Sequence, residues 1–189
     1  MLIGVLALQG AFREHQHALE RCGASTCQVR KASELKPIDA LVIPGGESTT
    51  MVKLLNDFGL CKPILAMAEQ GMPIFGTCAG LILLAKHIED SQQETLGLMD
   101  VEAARNAYGR QVDSFETSLD IPVLGAEPYR AVFIRAPYIT KAGQGVNVLA
   151  YCEHKIVCVR QDRIIAAAFH PELTADLRLH RYFIEEVAK

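Results

Sequence analysis

Residues 72–86 read MPIFGTCAGLILLAK: a short apolar run, a Gly-Thr-Cys-Ala-Gly turn and a second apolar segment. The order predicts a strand, a sharp turn and the start of a buried helix. Small residues on both sides of one reactive side chain let the backbone bend tightly and lift that side chain above a sheet edge, the geometry of a nucleophile elbow. Gly76 and Gly80 give the room, and Cys78 is the residue lifted. At the mouth of a helix a thiolate is stabilised by unpaired backbone N–H groups and by the positive end of the helix dipole. A buried structural cysteine accounts for the same turn equally well, since free cysteine is among the most buried residue types. A second site has to separate the two readings.

That site lies near the other end of the chain. Residues 163–169 (RIIAAAF) read as a buried strand, which the chain leaves through His170-Pro171-Glu172. Proline pushes the preceding residue towards extended geometry, and side chains two apart on an extended segment point the same way. His170 and Glu172 therefore meet side by side. They supply a base and a carboxylate to orient it, which a cysteine nucleophile needs for activation and for passing its proton to a leaving amine. A lone His-Pro-Glu is an ordinary strand exit, but together with the elbow it points to a triad of Cys78, His170 and Glu172.

Composition sets the frame. With 189 residues, half of them hydrophobic, the expectation is one domain spanning 1–189 with a sizeable core. No apolar stretch approaches the roughly 20 residues needed to cross a bilayer. The opening MLIGVLALQG has neither a basic lead nor a cleavage pattern, and reads as a first strand. Cysteines 22, 27, 61, 78, 152 and 158 form no Cys-x-x-Cys pair, which favours reduced thiols in a cytoplasmic protein over disulfides. A net charge of −3 gives no footprint for nucleic acid.

Taken in order, Leu2 to Leu8 reads as a strand buried on both faces. A helix follows, with Phe12, His15, Leu19 and Cys22 at helical spacing and Gly23 as its stop. His15 and His17, two apart on a helix, diverge, so they are read as solvated rather than as metal ligands. Thr26 to Arg30 and Asp39 to Ile43 are further strands. The latter runs into Pro44-Gly45-Gly46-Glu47-Ser48-Thr49-Thr50, which lacks the lysine and spacing of a P-loop. A Gly-Gly turn there presents backbone N–H groups to an anion, and the Ser and Thr are placed to cap the next helix. That helix runs to about Asn56, and another extends from Pro63 to Gly71.

Strands alternating with helices over residues 2–86 predict an α/β fold with a parallel sheet, helices on both faces and ligands at the strand carboxyl ends. Beyond residue 94 short strands dominate, with Gln161-Asp162 as a hairpin tip. A last amphipathic helix is expected to carry Leu173, Leu177, Ile184 and Val187 on one stripe.

With these motifs in hand, the chain resembles the class I (triad) glutamine amidotransferases, and within them the glutaminase subunits of pyridoxal 5′-phosphate synthase. The resemblance runs through GVLALQGAFREH at 4–15, PGGEST at 44–49, GTCAGLILLA at 76–85, RNAYGRQVDSFE at 105–116, FIRAP at 133–137 and AAFHPEL at 167–173. The elbow and His-x-Glu mark the superfamily. The opening motif, Arg105-Asn106 and FIRAP select this member of it.

The resemblance implies a single-domain, open, mixed but mostly parallel sheet of the flavodoxin-like kind. It further implies hydrolysis of L-glutamine by Cys78, His170 and Glu172, with an oxyanion hole from the N–H groups of Gly46 and Ala79. Gly46, Glu47, Ser48, Arg105, Ile134 and Arg135 correspond to the glutamine-binding positions. Arginine suits the α-carboxylate of glutamine, and a carboxylate suits its α-ammonium. The implied partner is a dodecameric synthase core that makes pyridoxal 5′-phosphate. That compound is the partner's product, and no cofactor or metal is expected here.

Gln9 and Gly10, at the carboxyl edge beside Gly45-Gly46, are expected to couple that loop to the partner. Two rival readings use the same motifs: a catalytically silent scaffold, and a related cysteine hydrolase acting on peptides or aldehydes. The intact triad argues against the first and the glutamine-binding set against the second.

Overall fold

The computed structural model describes residues 1–105 and 114–189; of the motif at 105–116, residues 106–113, Asn106 included, lie outside them. The chain opens with β1 (Leu2–Leu6), α1 (Phe12–Arg21), β2 (Ser25–Val29), β3 (Ala40–Ile43), α2 (Ser48–Asp57), α3 (Cys61–Glu69), β4 (Ile74–Thr77) and α4 (Ala79–Leu84). It continues through β5 (Ala85–Ile88), β6 (Met99–Ala104), β7 (Ser114–Leu119), β8 (Tyr129–Ile134), β9 (Tyr138–Ala142) and β10 (Asn147–Cys152). It ends with β11 (Lys155–Gln161), β12 (Ile164–Ala167) and α5 (Arg178–Tyr182), which runs into a π-helical turn at Phe183–Val187.

Near-continuous apolar sequence makes the central strands. Every residue of β3 and β4 is buried, as are nearly all of β1 and β12, which is how strands covered on both faces behave. With β2 they pair in parallel in the order β2-β1-β3-β4-β12, so the carboxyl ends of all five share one edge. The order reverses between β1 and β3, and a doubly wound sheet opens a crevice at such a point. β12 enters this parallel set from an antiparallel hairpin with β11, whose turn carries Asp162 at a positive φ.

The remaining strands extend the sheet as β11-β9-β6-β5, with β10 also on β11, and only the β5–β6 pair there is parallel. β7 and β8 form a separate ribbon. Phe133 of β8 packs on Phe169 at 5.6 Å between ring centres, which fastens the ribbon beside the exit of β12. The expected mixed, mostly parallel sheet flanked by helices is therefore the observed one. No helix among the described residues is long and apolar enough to cross a membrane.

The terminal helix departs from expectation. Leu173 sits in a short 3-10 turn and is exposed, and α5 starts only at Arg178. An Ala188 N–H to Phe183 carbonyl bond, five residues apart, then widens the last turn. The buried face is accordingly Leu179, Phe183 and Val187. A regular 3.6-residue period placed Val187 on the buried face but missed Leu179 and Phe183, because it cannot anticipate either interruption.

The predicted elbow is present, and its glycines are required by close approach. A Cβ on Gly80 would lie 2.1 Å from the carbonyl oxygen of Ile43, and one on Gly76 would lie 2.8 Å from the carbonyl carbon of Gly80. Helix propensity alone makes Gly→Ala worth about 1 kcal/mol of stabilisation. Here contact with rigid backbone outweighs it, since overpacking a tight site costs about 1–3 kcal/mol or more. Gly80→Ala is expected to lower unfolding free energy by about 2 kcal/mol in denaturant titration. A variant at or above wild-type stability would contradict this packing.

Candidate active site

Four carboxyl ends of the parallel strands bring the site together. From β1 come Gln9 and Gly10; from β3, Gly45 and Gly46; from β4, Cys78; and from β12, His170 and Glu172. Cys78 is the N-cap of α4 at φ 49° and ψ −104°, and its own N–H donates to the Ala167 carbonyl at 2.8 Å. Ala79 is thus the first residue of α4, where an N–H has no partner within the helix. The Cys78 side chain faces the Ile134 carbonyl, with Sγ 3.9 Å from that oxygen.

His170 and Glu172 meet, but not along the expected extended segment: Glu172 lies in a 3-10 turn, Pro171–Leu173, of which His170 is the N-cap at φ −107° and ψ 84°. Nδ1 of His170 lies 2.7 Å from Oε1 of Glu172, and only 8% of His170 and 7% of Glu172 is exposed. The His170 N–H donates to the Val132 carbonyl at 2.8 Å, so the β8 ribbon holds this turn in place. Burial opposes charge on the imidazole, yet hydrogen bonds and charge from Cys78 and Glu172 overcome it and raise the His170 pKa well above the ordinary range. Burial also opposes charge on Glu172, but His15 and His170 hold its carboxyl far below the usual carboxylate range. The combination places an imidazole, steadied by an ionised carboxylate, beside the Cys78 thiol, the parts that a cysteine nucleophile needs.

The glycine pair packs directly over this centre. A Cβ on Gly45 would strike His170, 2.6 Å from its Cε1, and would lie 3.3 Å from Cβ of Cys78. On the other side, a Cβ on Gly10 would lie 1.6 Å from the Gly45 carbonyl oxygen. Gly10 itself has φ +83°, a conformation that side chains rarely adopt. Oε1 of Gln9 accepts the Glu47 N–H at 2.9 Å. The expected proximity of the Gln9-Gly10 strand end to the Gly-Gly loop is thus observed at atomic contact.

Other site residues are distributed around this core. Ser48 is buried, Ile134 and Arg135 follow one another at the end of β8, and Arg105 is exposed just after β6. Arg135 has φ 43°. Gln93 links two of the predicted residues, accepting from the Ser48 hydroxyl at 3.2 Å and from Arg105 Nη1 at 3.0 Å; Arg105 Nη2 also donates to the Ser91 hydroxyl at 2.7 Å. Nothing in the polar loop around Gln93 singles it out beforehand.

Ser and Thr do not provide the cap expected for α2. Glu47 does, accepting the N–H groups of Thr49 and Thr50 at 3.2 and 2.8 Å. Hydrogen bonds from the Thr49 hydroxyl and then from Thr50 lower its carboxyl pKa to about 2. A carboxylate reaches the orphan N–H groups with more charge than a hydroxyl, and the extended Glu47 backbone aims it there.

His15 corrects the sequence reading outright. His17 is exposed, but His15 is fully buried, 3.2 Å from Oε2 of Glu172 through its Nε2. The signal was its place in the stripe of Phe12, Leu19 and Cys22, whose helical period outranks the pairing with His17. All six cysteines are free, and no group of three or more metal-binding side chains occurs among the described residues.

Comparison with known proteins adds a family. The SNO glutamine amidotransferase family matches residues 5–189. The pyridoxal 5′-phosphate synthase subunit PdxT of Pelotomaculum thermopropionicum is 64% identical over 189 residues, covering 100% of this chain and 96% of its own. The same-named subunit of Carboxydothermus hydrogenoformans is 59% identical, covering 100% and 99%. A crystal structure described as a glutamine amidotransferase superposes with a TM-score of 0.92 at 48% identity, over 98% of both chains. PurLQS from Thermotoga maritima, at 16% identity and a TM-score of 0.74 over 97% of both chains, shares the fold.

Proposed function

The chain belongs to the SNO glutamine amidotransferase family, and on that premise we propose that it hydrolyses L-glutamine to L-glutamate and ammonia through Cys78, His170 and Glu172. The ammonia passes to a pyridoxal 5′-phosphate synthase subunit, which uses it with ribose 5-phosphate and glyceraldehyde 3-phosphate. Residues 1–189 act as one glutaminase domain. The observation that carries the reading is the buried Cys78–His170–Glu172 cluster at the crevice edge. The names of the 64% and 59% identical relatives support the choice of partner.

Cys78 Sγ attacks the side-chain amide carbon of glutamine as its proton passes to His170. The oxyanion that forms is met by the N–H groups of Gly46 and Ala79, since donors aimed at developing charge in a dry site lower the barrier most. His170 delivers its proton to the departing ammonia as the tetrahedral adduct collapses to a thioester. The same imidazole then takes a proton from water, which attacks the thioester carbon and frees glutamate and the thiol. Glu172 keeps the imidazole in one tautomer and balances its charge. Ser48, Arg105, Ile134 and Arg135 hold the amino-acid end of the substrate, along with Gly46 and Glu47.

The Gln9 contact supports control by the partner. Ammonia released into neutral water is mostly protonated and lost as a nucleophile, so turnover is useful only when the subunit is docked. In a planar trans peptide the carbonyl and N–H point oppositely. The Gly45 carbonyl is on the Gly10 side, so what presses on Gln9 and Gly10 biases where the Gly46 N–H points. The size of the effect is set by the partner's differential affinity for the two loop states.

In glutaminase assays with the cognate synthase, Cys78→Ala is expected to lower kcat on the order of 10⁶-fold while the protein stays folded. Glu172→Gln should retain more activity than His170→Asn, because an orienting group contributes less than the base itself. Wild-type activity in Cys78→Ala would refute the mechanism, and the reverse ranking would exchange the two roles. Gln9→Ala is expected to weaken synthase-stimulated turnover more than alkylation of Cys78 by a small electrophile. Stimulation that survives the change would remove Gln9 from the switch.

A further inference from the structure

Behind Glu172 lies a second polar layer that the triad chemistry does not use. His15, Thr77 and His180 are all fully buried. Nδ1 of His15 is 3.1 Å from Nε2 of His180, and Nε2 of His15 is 3.0 Å from Oγ1 of Thr77. The same Nε2 lies 3.2 Å from Oε2 of Glu172, an ion-pair contact that is less well aligned than a hydrogen bond. The ring of Phe75 meets His15 and His180 edge-on at 5.9 and 5.8 Å, which restricts both from turning. Three elements converge here: α1 brings His15, α5 brings His180, and β4 brings Thr77, the residue before Cys78.

Protons in this layer follow from lone pairs. A bare Nε2 on His15 would oppose its lone pair to a carboxylate oxygen 3.2 Å away in a dry interior, so Nε2 carries the hydrogen and shares it between Thr77 Oγ1 and Glu172 Oε2. On its other side, Nδ1 of His15 shares one hydrogen with Nε2 of His180. Burial pushes His180 down to about 3, so it stays neutral, and its Nδ1 has no hydrogen-bond partner among the described residues. A buried ring nitrogen is tolerated unpaired more readily than a buried carboxylate oxygen, whose desolvation costs several kcal/mol. The layer thus directs its donors towards Glu172.

We propose that His15, held by His180 and Thr77, is a positioning residue for Glu172, so that the reacting cysteine is served by a buried chain Cys78–His170–Glu172–His15–His180. The inference rests on the glutaminase reading above and extends it. With Oε2 held by His15, the carboxylate presents Oε1 to His170 in one orientation and stays ionised in a site that otherwise favours its neutral form. The ionisable groups facing Glu172 are His15 from α1, His170 from its own turn, Tyr129 from β8 and His180 from α5. Of these, His15 is the one that reaches Oε2.

The test is glutamine hydrolysis with the cognate synthase bound, comparing His15→Leu, His15→Gln and His180→Leu. His15→Leu is expected to lower kcat about 10- to 100-fold, the range that outer-shell partners command at metal sites. KM for glutamine should stay within about twofold. The acid limb of the kcat/KM profile should move to higher pH, because an unpartnered buried carboxylate is easier to protonate. His15→Gln, which keeps an N–H near the same place, should recover most of kcat and return the limb. His180→Leu should move both quantities in the direction of His15→Leu, but less.

An unchanged kcat and pH profile in folded His15→Leu overturns the proposal, as does a loss of kcat with an unmoved acid limb, which marks a structural role. Should His15→Leu not fold, an unaltered profile in His180→Leu overturns it equally. Activity surviving in Cys78→Ala refutes the glutaminase reading itself. A dead Cys78→Ala beside an unaffected His15→Leu removes this proposal alone.

Discussion

The backbone of Cys78 is the constraint to which the rest of the molecule answers. A non-glycine residue at φ 49° and ψ −104° carries strain on the order of 1–3 kcal/mol, and such strain persists only where surrounding structure over-determines it. Here it does. The Cys78 N–H is bound to Ala167 of β12, its carbonyl accepts the Ile82 N–H of α4, and Gly80 is pressed against Ile43 of β3. Three parallel strands and a helix meet at that one turn. The strain is small against the roughly 5–15 kcal/mol that stabilises a domain, so local distortion coexists with a folded whole.

The second constraint is the buried charge of Glu172. Taking a carboxylate out of water costs several kcal/mol, and removing one partner from a buried pair typically costs about 3–5 kcal/mol. Glu172 meets this cost with two imidazoles, one on each oxygen. One imidazole faces Cys78 and the other faces the core, so the same carboxylate joins the proposed chemistry to the packing of α1 and α5. Pro171 opens the 3-10 turn that makes this possible, in which Glu172 is turned back towards His15 of α1.

Most of the fold was legible because its central strands are nearly uniform apolar runs and its turns carry glycine. The elbow and the Gly-Gly loop each had a local reason to adopt the observed geometry, and parallel order placed both, with His-Pro-Glu, on one edge; the 3-10 turn at Pro171–Leu173 replaced the extended exit expected there. What escaped was long-range. His15 meets Glu172 across 157 positions of chain, and helical spacing next to His17 offered two readings between which only burial decides. Gln93 is chosen by the positions of Ser48 and Arg105 rather than by its neighbours. The α2 cap went to Glu47 because its side chain reaches the helix mouth from an extended backbone, a competition that propensities for Ser and Thr do not register. The π-turn near the end shifted a stripe that a fixed period placed elsewhere.

Competition among the six cysteines tests the central claim most directly. Cys78 is only 8% exposed, whereas Cys22, Cys27 and Cys61 are more accessible, so accessibility and activation make opposite forecasts. The measurement is peptide-level mass spectrometry after brief exposure of the protein, docked on its synthase, to a chloroketone analogue of glutamine. The account predicts a single adduct, on Cys78, suppressed by excess glutamine. Labelling that follows exposure, with Cys22, Cys27 and Cys61 modified and Cys78 spared, would contradict it.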